Sequence, residues 1–249
     1  LFLYSYNTSL SFTMYALLAL TTLAIWGGRQ RIADIEERPV FSLVSSLGFI
    51  VGLIAVLTGT YFITIHYLAD VDFAKAQTQQ ENTKATELIV SSINWFPTDR
   101  YYRSASQVSL GMLNEELQKQ DRSSDRAARV QNLIVSARDL AIKATTLEPT
   151  ESNNWFNLGN VYESLVGLVD NADKLAEEAY AEAAKLRPGD ASFDNRIGSM
   201  YLSKSELQRH LARSAGINAG RFNQDADAAL IKAEASFKRA IELSPNYGL

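Results

Sequence analysis

The sequence has no cysteine and only two histidines, and these shortages exclude many kinds of active site. Without cysteine the chain forms no disulfide, no thiolate metal site and no cysteine nucleophile. His66 and His210 lie far apart in the sequence, and no phosphate-binding G-x-x-x-x-G-K-[ST] or nucleophile-elbow G-x-S-x-G pattern occurs. We therefore expect no catalytic residue, no metal site and no cofactor in this chain.

Charge is also scarce, and its distribution divides the chain. The composition, 47% hydrophobic and 21% charged, is typical of a globular protein. Up to Ala69 all the charged side chains lie in one short stretch and sum to zero, so the net charge of −4 belongs to residues 70–249. A mildly acidic part of this kind lacks the basic surface that nucleic acid requires, and we expect no nucleic-acid partner.

Two long uncharged stretches predict two membrane helices. Leu1–Gly28 carries no charge and is most apolar from Ser9 to Trp26, and Pro39–Ile65 is a second uncharged stretch. About 20 apolar residues cross a bilayer, so both stretches are long enough. The first lacks the basic start and the small-residue cleavage site of a signal peptide. We assign residues 1–65 to a membrane segment that contacts the lipid bilayer.

The loop between the two stretches predicts their orientation. Arg29, Arg31 and Arg38 lie within a few residues of both predicted membrane helices, whereas Lys75 and Lys84 beyond the second are mixed with acidic residues. Short loops rich in arginine are retained in the cytoplasm. The loop Gly27–Arg38 is therefore expected inside the cell, and residues 70–249 outside the cytoplasm.

Four of the five prolines follow one repeated pattern. Each is preceded by three residues at steps of four, three and five positions, most of them small, and the steps of four and three place those residues on one helical face. Proline then ends the helix. The sets are Ala85/Ile89/Ser92/Pro97, Ala137/Ala141/Ala144/Pro149, Ala176/Tyr180/Ala183/Pro188 and Ala233/Phe237/Ala240/Pro245.

A second motif follows two of these prolines. Trp155-x-x-Leu158-Gly159-x-x-Tyr162 comes after Pro149, and Ile197-Gly198-x-x-Tyr201 comes after Pro188 with the same spacing. Together the two motifs resemble the tetratricopeptide repeat (TPR), a pair of antiparallel helices that stacks into an α-solenoid. The resemblance implies an all-α fold in residues 66–249. It also implies that Trp155, Tyr162, Tyr180, Tyr201 and Phe237 are buried between helices.

Counting back from each proline gives four degenerate repeats, 66–99, 100–151, 152–190 and 191–247. Three are longer than the 34-residue consensus, with the extra residues between the first and second helices, at Gln120–Asp125, Val166–Asn171 and Lys204–Asn223. In the second repeat Ser106 replaces the glycine and Ala141 replaces the large aromatic residue.

The third insertion contains Arg209, His210 and Arg213. We interpret it as a solvated helical extension followed by a loop, with a site for an acidic partner or lipid headgroups as the alternative.

The resemblance places binding on the concave face, which the first helices of such repeats line. Amide and guanidinium groups there bond a peptide backbone or a carboxylate, so we expect a protein or peptide partner. The alternative is a solvated groove without a specific ligand. The residues expected in the groove are Arg103, Gln107, Asn153, Asn157, Asn160, Asn195, Arg196 and Ser199.

The order of these segments resembles the C-terminal part of bacterial O-antigen ligase-like proteins with TPR tails. The segments Tyr67–Ala76 and Tyr101–Gln107 are similar to the junction and the first full repeat of that family. This implies a non-catalytic part of an enzyme of cell-surface glycan assembly, in the bacterial inner membrane with extracytoplasmic repeats. Nothing in this chain matches the family's catalytic loop, so no catalytic residue is carried over.

The alternative is a stand-alone scaffold, in which two membrane helices present a TPR array to partners and no enzyme domain is attached. The chain begins with Leu1, and we expect it to be a piece of a longer protein. Many further membrane helices encoded upstream would favour the ligase-like protein, whereas a start codon just before Leu1 would favour the scaffold.

Overall fold

The computed structural model describes residues 15, 17–21, 39–119, 123 and 125–246. Within these residues the chain is helical and has no β-strand, apart from an isolated bridge between Val166 and Val169. The predicted all-α fold class is confirmed. The helices are α1 (Pro39–Gln77), α2 (Asn82–Trp95), α3 (Asp99–Gln118), α4 (Arg126–Leu147), α5 (Ser152–Ser164), α6 (Ala172–Leu186), α7 (Ala191–Ser214), a 3₁₀ turn (Gly216–Asn218) and α8 (Ala219–Leu243).

Helix α1 contains a long apolar stretch whose side chains face outward. Among the described residues it is the one helix long and apolar enough to cross a membrane, over Ser42–Gln77, with a mean hydropathy of 2.1 in its most apolar window and none of that window buried. The chain divides into two compact units, Leu1–Thr60 and Tyr61–Leu249. Exposed leucine, isoleucine, valine and phenylalanine side chains cover α1 from Val40 to Ile63.

The first predicted membrane helix, Ser9–Trp26, falls mostly outside the described residues. Residues 15 and 17–21 are helical and exposed. The arginine loop Gly27–Arg38 also lies outside the described residues. The predicted orientation of the chain therefore stays a prediction.

Four helices end in the way that the prolines predict. Helices α2, α4, α6 and α8 each end two residues before their proline. The residue directly before each proline has an extended φ between −131° and −155°, as expected where the proline ring excludes the helical conformation. Its N–H still donates to the carbonyl of the third residue of the pattern, which closes the last turn. These acceptors are Ser92, Ala144, Ala183 and Ala240.

Consecutive helices pack antiparallel. In α7 and α8 the start of one helix is bonded to the end of the other through Asp194–Arg239 at 2.8 Å, and the far ends are joined through Arg209–Asp227 at 2.9 Å. In the pairs α3–α4 and α5–α6, too, residues late in one helix bond to residues early in the other. The bonds are Ser109–Ser136, Glu116–Arg129, Ser152–Ala183 and Asn160–Tyr180.

The predicted faces of small residues are buried. Ala137, Ala141 and Ala144 are fully inaccessible, as are Ala176 and Ala183 around Tyr180. Alanine on these faces leaves room for the neighbouring helix and loses no side-chain entropy on burial. The other members, Ala85, Ile89, Ser92, Ala233 and Ala240, are buried as well, and Phe237 is half-buried.

Two glycines allow the closest approach between helices. A methyl group on Gly159 would overlap the ring of Tyr180, and one on Gly198 would lie 2.7 Å from the ring of Phe237. The Tyr180 ring is fully buried and has no room to retreat, and the half-buried Phe237 ring packs against the cluster that Tyr180 and Tyr201 share. Glycine is therefore required at position 159 and favoured at position 198, because a large ring from the second helix occupies the place of its side chain.

The third insertion is mostly helical. Helix α7 continues to Ser214 and α8 begins at Ala219, so Lys204–Asn223 lengthens both helices and the connection is a short 3₁₀ turn. The solvated extension predicted there is confirmed for Arg209 and Arg213, which are exposed. The expected loop Gly216–Gly220 is shorter than predicted, because Gly220 already belongs to the first turn of α8.

Candidate functional site

The candidate site lies on α3, α5 and α7, which are the first helices of the pairs α3–α4, α5–α6 and α7–α8. Capping residues define where α5 and α7 start. Glu151 accepts a hydrogen bond from the Asn153 N–H at 3.0 Å, and Asp190 accepts one from the Ser192 N–H at 3.0 Å. An acidic residue at this position accepts a hydrogen bond from a free N–H, and its negative charge interacts favourably with the positive end of the helix dipole. The predicted groove residues follow directly after these caps.

Three of the predicted residues form a polar junction between α3 and α5. The Gln107 Nε2 donates to Asn157 Oδ1 at 3.1 Å, and Asn157 Nδ2 donates to Ser106 Oγ at 2.8 Å. Arg103 is half-buried and donates to Asp99 and to Asn154. The Asn157 side chain is 2% exposed, so its amide joins two helices and has no free group for a partner.

Two more of the predicted residues belong to a junction of α5, α6 and α7. The Tyr180 hydroxyl donates to Glu163 Oε2 at 2.5 Å and lies 2.8 Å from Asn160 Oδ1. Arg196 Nε donates to the same Glu163 oxygen at 2.8 Å. Burial raises the pKa of Tyr180 well above its usual range, and the hydrogen bond to Glu163 raises it further, so the hydroxyl stays a neutral donor.

The remaining predicted residues are more accessible. Asn153 is exposed, and Asn195 and Ser199 are half-exposed, with the Ser199 hydroxyl donating to the Asn195 carbonyl at 3.0 Å. Arg196 is also exposed beyond its bond to Glu163. These amides and this guanidinium offer donors and acceptors for an extended peptide or a carboxylate, and their role in binding stays a prediction.

Sequence reasoning missed two residues that position this face. Asn154 is fully buried, donates to the Ala144 and Glu148 carbonyls, and accepts from Arg103. Glu163 links Tyr180 to Arg196. The signal for Glu163 was its position one helical turn after Asn160, which places both on the same face of α5.

A second polar cluster surrounds the start of α6. The Tyr201 hydroxyl donates to Glu177 at 2.5 Å, and Lys232 Nζ donates to both, at 2.8 Å to Tyr201 and 2.9 Å to Glu177. Burial opposes ionisation of Glu177, but these hydrogen bonds outweigh it and lower its pKa. Burial, and then the bond to Glu177, raises the pKa of Tyr201 to about 12. Tyr201 is therefore buried as predicted and also holds a polar network.

The described residues contain no group of three or more His, Asp or Glu side chains that could hold a metal ion. A scan of the chain against protein-family models gives no match, and a search of curated proteins gives none either. The interpretation of the site therefore depends on the residues and their packing.

Proposed function

We propose that this chain is a membrane-anchored scaffold in which a TPR-like α-solenoid presents the first-helix face to a protein or peptide partner. The observation that carries this proposal is the pair of close approaches, Gly159 against Tyr180 and Gly198 against Phe237. They occupy corresponding positions in two successive helix pairs, as the repeat consensus requires. In a helical bundle without a sequence repeat, this contact is not expected to recur at matched positions.

The contacts between successive pairs support the same proposal. First helices contact each other along the chain, α3 with α5 through Gln107–Asn157 and α5 with α7 through Glu163–Arg196. In a solenoid each repeat contacts its neighbours in this way, and the first helices together line a continuous face. Polar residues on that face suit the recognition of a peptide backbone.

We propose further that the anchor consists of two membrane helices, the second formed by the apolar part of α1. Its exposed apolar side chains support this part of the proposal, since an exposed stretch of this length is costly in water and favourable in lipid. The arginine loop supports an orientation with the repeats outside the cytoplasm. The resemblance to O-antigen ligase-like proteins extends the proposal to a non-catalytic part of cell-surface glycan assembly in the bacterial inner membrane. A stand-alone scaffold is the alternative.

Site-specific labelling tests the orientation. Ser123 is exposed, and an S123C variant should react in intact cells with a thiol reagent that does not cross the inner membrane. An S46C variant is the matched control, because Ser46 lies in the apolar stretch of α1 and should not react. Reaction at position 123 only after the inner membrane is opened would place the repeats in the cytoplasm and exclude the glycan-assembly proposal.

Photo-crosslinking tests the binding face. A photoreactive amino acid at Asn153, on the predicted groove, should give discrete protein adducts in native membranes. The same amino acid at Lys143, an exposed position on α4, is the control and should give none. Equal adducts at both positions, or none at Asn153, would contradict a scaffold that uses the first-helix face.

A further inference from the structure

A cleft of about 510 Å³ opens between the start of α6, the second half of α7 and the first half of α8. Its volume falls within the range of small-molecule sites, roughly 300–1,000 Å³. The lining is dominated by long polar side chains. An adjoining cavity of about 260 Å³ under the α5–α6 turn shares Asp173, Lys204 and Gln208 with it.

Positive charge exceeds negative charge around the cleft by one when Glu177, the partner of Lys232, is counted. Lys174, Lys204, Arg221 and Lys232 line it, against Asp173 and Asp225. Two of the lysines have an acidic partner, since Lys204 donates to Asp173 at 2.7 Å and Lys232 to Glu177 at 2.9 Å. In the part of the chain that the structure describes, Lys174 and Arg221 form no ion pair and are exposed.

The cleft also contains an unsatisfied acceptor. The Gln208 Oε1 atom is buried and has no hydrogen-bond partner among the described residues. A buried carbonyl without a partner is costly, and a rotation of the Gln208 side chain toward a donor in the cleft would remove this cost. The cleft thus offers cations for anionic oxygens and an acceptor for a hydroxyl or amide.

Inserted residues build much of this cleft. Asn171 belongs to the insertion Val166–Asn171, while Lys204, Gln208 and Arg221 belong to Lys204–Asn223. The α5–α6 turn lies close to α7: a Cβ atom added to Gly167 would be 3.3 Å from the Leu207 side chain. Lys204 bonds to Asp173 between α7 and α6, whereas no ion pair among the described residues accounts for the exposed Arg221.

We propose that this cleft is a binding site for a ligand that carries a compact anionic group, carboxylate or phosphate, next to a hydroxyl or amide donor. The anionic oxygens are bound by Arg221 and Lys174, with Lys204 and Lys232 beside them. The donor bonds to Gln208 Oε1. The site is separate from the first-helix face and does not depend on the partner proposed for that face.

Titration calorimetry on the full chain in detergent micelles, at constant ionic strength, tests the site with three probes of similar size. Glycerate supplies a carboxylate with hydroxyls, glycerol 3-phosphate supplies a phosphate with hydroxyls, and glycerol supplies hydroxyls alone. We expect saturable binding of at least one anionic probe and none of glycerol. The tighter of the two anions identifies the preferred group.

The variants R221Q and K174Q should each weaken binding of that anion by about tenfold, the usual effect of losing a charged hydrogen bond. Neither residue is in an ion pair among the described residues, so both variants should keep the wild-type melting temperature. Q208L should weaken binding as well, because it removes the acceptor. K143Q, on α4 and outside the cleft, is the matched control and should bind like the wild type.

Three results would overturn the proposal: no saturable binding of either anion, binding of glycerol as strong as that of the anions, or equal weakening by K143Q and R221Q. The last would indicate non-specific attraction of anions to the whole surface. Labelling at position 123 and crosslinking at Asn153 are independent of these outcomes, so this site and the scaffold proposal fail separately.

Discussion

The helix pairs α5–α6 and α3–α4 pack antiparallel in the same manner but fill the space between their helices differently. In α5–α6 the first helix has glycine at position 159 and the second supplies the ring of Tyr180. In α3–α4 the corresponding positions hold Ser106 and Ala141, both fully buried. One pair thus combines a large side chain with none, and the other combines two small ones.

The difference shows that the residue tolerated on the first helix depends on the size of the residue that the second helix supplies. Where Tyr180 is present, any side chain at position 159 would overlap it. Where the ring is absent, a serine is tolerated and gains a second role, since the Ser106 hydroxyl accepts from Asn157 of the next pair. Close packing of the interior requires such compensation, because neither an overlap nor a void is tolerated.

Removal of the ring should give the largest effect. Tyr180→Ala should destabilise the fold by about 3–5 kcal/mol, the usual range for a large buried aromatic residue, since α5 has no side chain to fill the cavity. The measurement is urea unfolding of the full chain in micelles, followed by circular dichroism. Arg213→Ala, on the exposed extension, is the control and should cost less than roughly 0.5 kcal/mol. Similar losses for both variants would show that Tyr180 is not a core residue.

Addition of one methyl group to the same contact should give the next largest effect. Gly159→Ala should cost about 2–3 kcal/mol, because the added carbon overlaps a ring that cannot move. Gly220→Ala is the matched control: it lies in α8, nothing is within 4 Å of the added carbon, and alanine favours a helix. In the Tyr180→Ala background the cost of Gly159→Ala should shrink or vanish. An unchanged cost there would contradict the contact.

The polar junction that Ser106 makes possible should contribute less. Asn157→Ala should destabilise the fold by about 1–2 kcal/mol, because it leaves the Ser106 hydroxyl and the Gln107 amide without their buried partner. Asn153→Ala, on the exposed side of the same helix, is the control and should be nearly neutral. Thermal melting of the three proteins side by side measures the difference, and equal midpoints for all would show that the junction is not stabilising.

The smallest effect concerns how the stability of the fold depends on pH through Glu116, near the end of α3. The buried carboxyl of Glu116 accepts hydrogen bonds from Lys119 at 2.8 Å and Arg129 at 2.7 Å, and these bonds lower its pKa below the usual 4.5. A carboxyl with a lowered pKa stabilises the fold above its unfolded-state pKa, and this stabilisation is lost as the pH falls from about 4.5 through the folded-state value.

The variant Glu116→Gln should therefore melt at a lower temperature than the wild type near pH 7, and the gap should close near pH 3. Glu242→Gln, exposed on α8, is the control and should follow the wild type at both values. A gap of equal size at both pH values would mean that the charge of Glu116 contributes nothing.

The sequence was sufficient for the ends of four helices and for their buried faces, because both depend on local rules. Pro149 and Pro188 end their helices wherever they occur, and the spacing of Ala137, Ala141 and Ala144 defines one face without reference to any other segment. The burial of Tyr180 was predicted for a different reason, since the resemblance to the tetratricopeptide repeat implies a buried aromatic residue at this position.

The polar junctions were less predictable because they depend on how two distant helices meet. Asn157 was expected in a groove, yet its amide is buried against Ser106, and no local pattern distinguishes a buried asparagine from an exposed one. The cleft around Gln208 was not predicted at all. Four of its lining residues, Asn171, Lys204, Gln208 and Arg221, come from insertions, which have no consensus with which to compare them.

The order of the helix contacts has a consequence for how the chain folds. From α2 to α8 each helix packs mainly on a helix adjacent to it in the sequence, so few contacts require distant segments to meet first. Chains with such local contacts fold quickly and in parts, starting in any hairpin and spreading along the array. The α7–α8 hairpin has the longest helices of the pairs α3–α4, α5–α6 and α7–α8 and the most extensive packing between its two helices, so it should be the first of these hairpins to form.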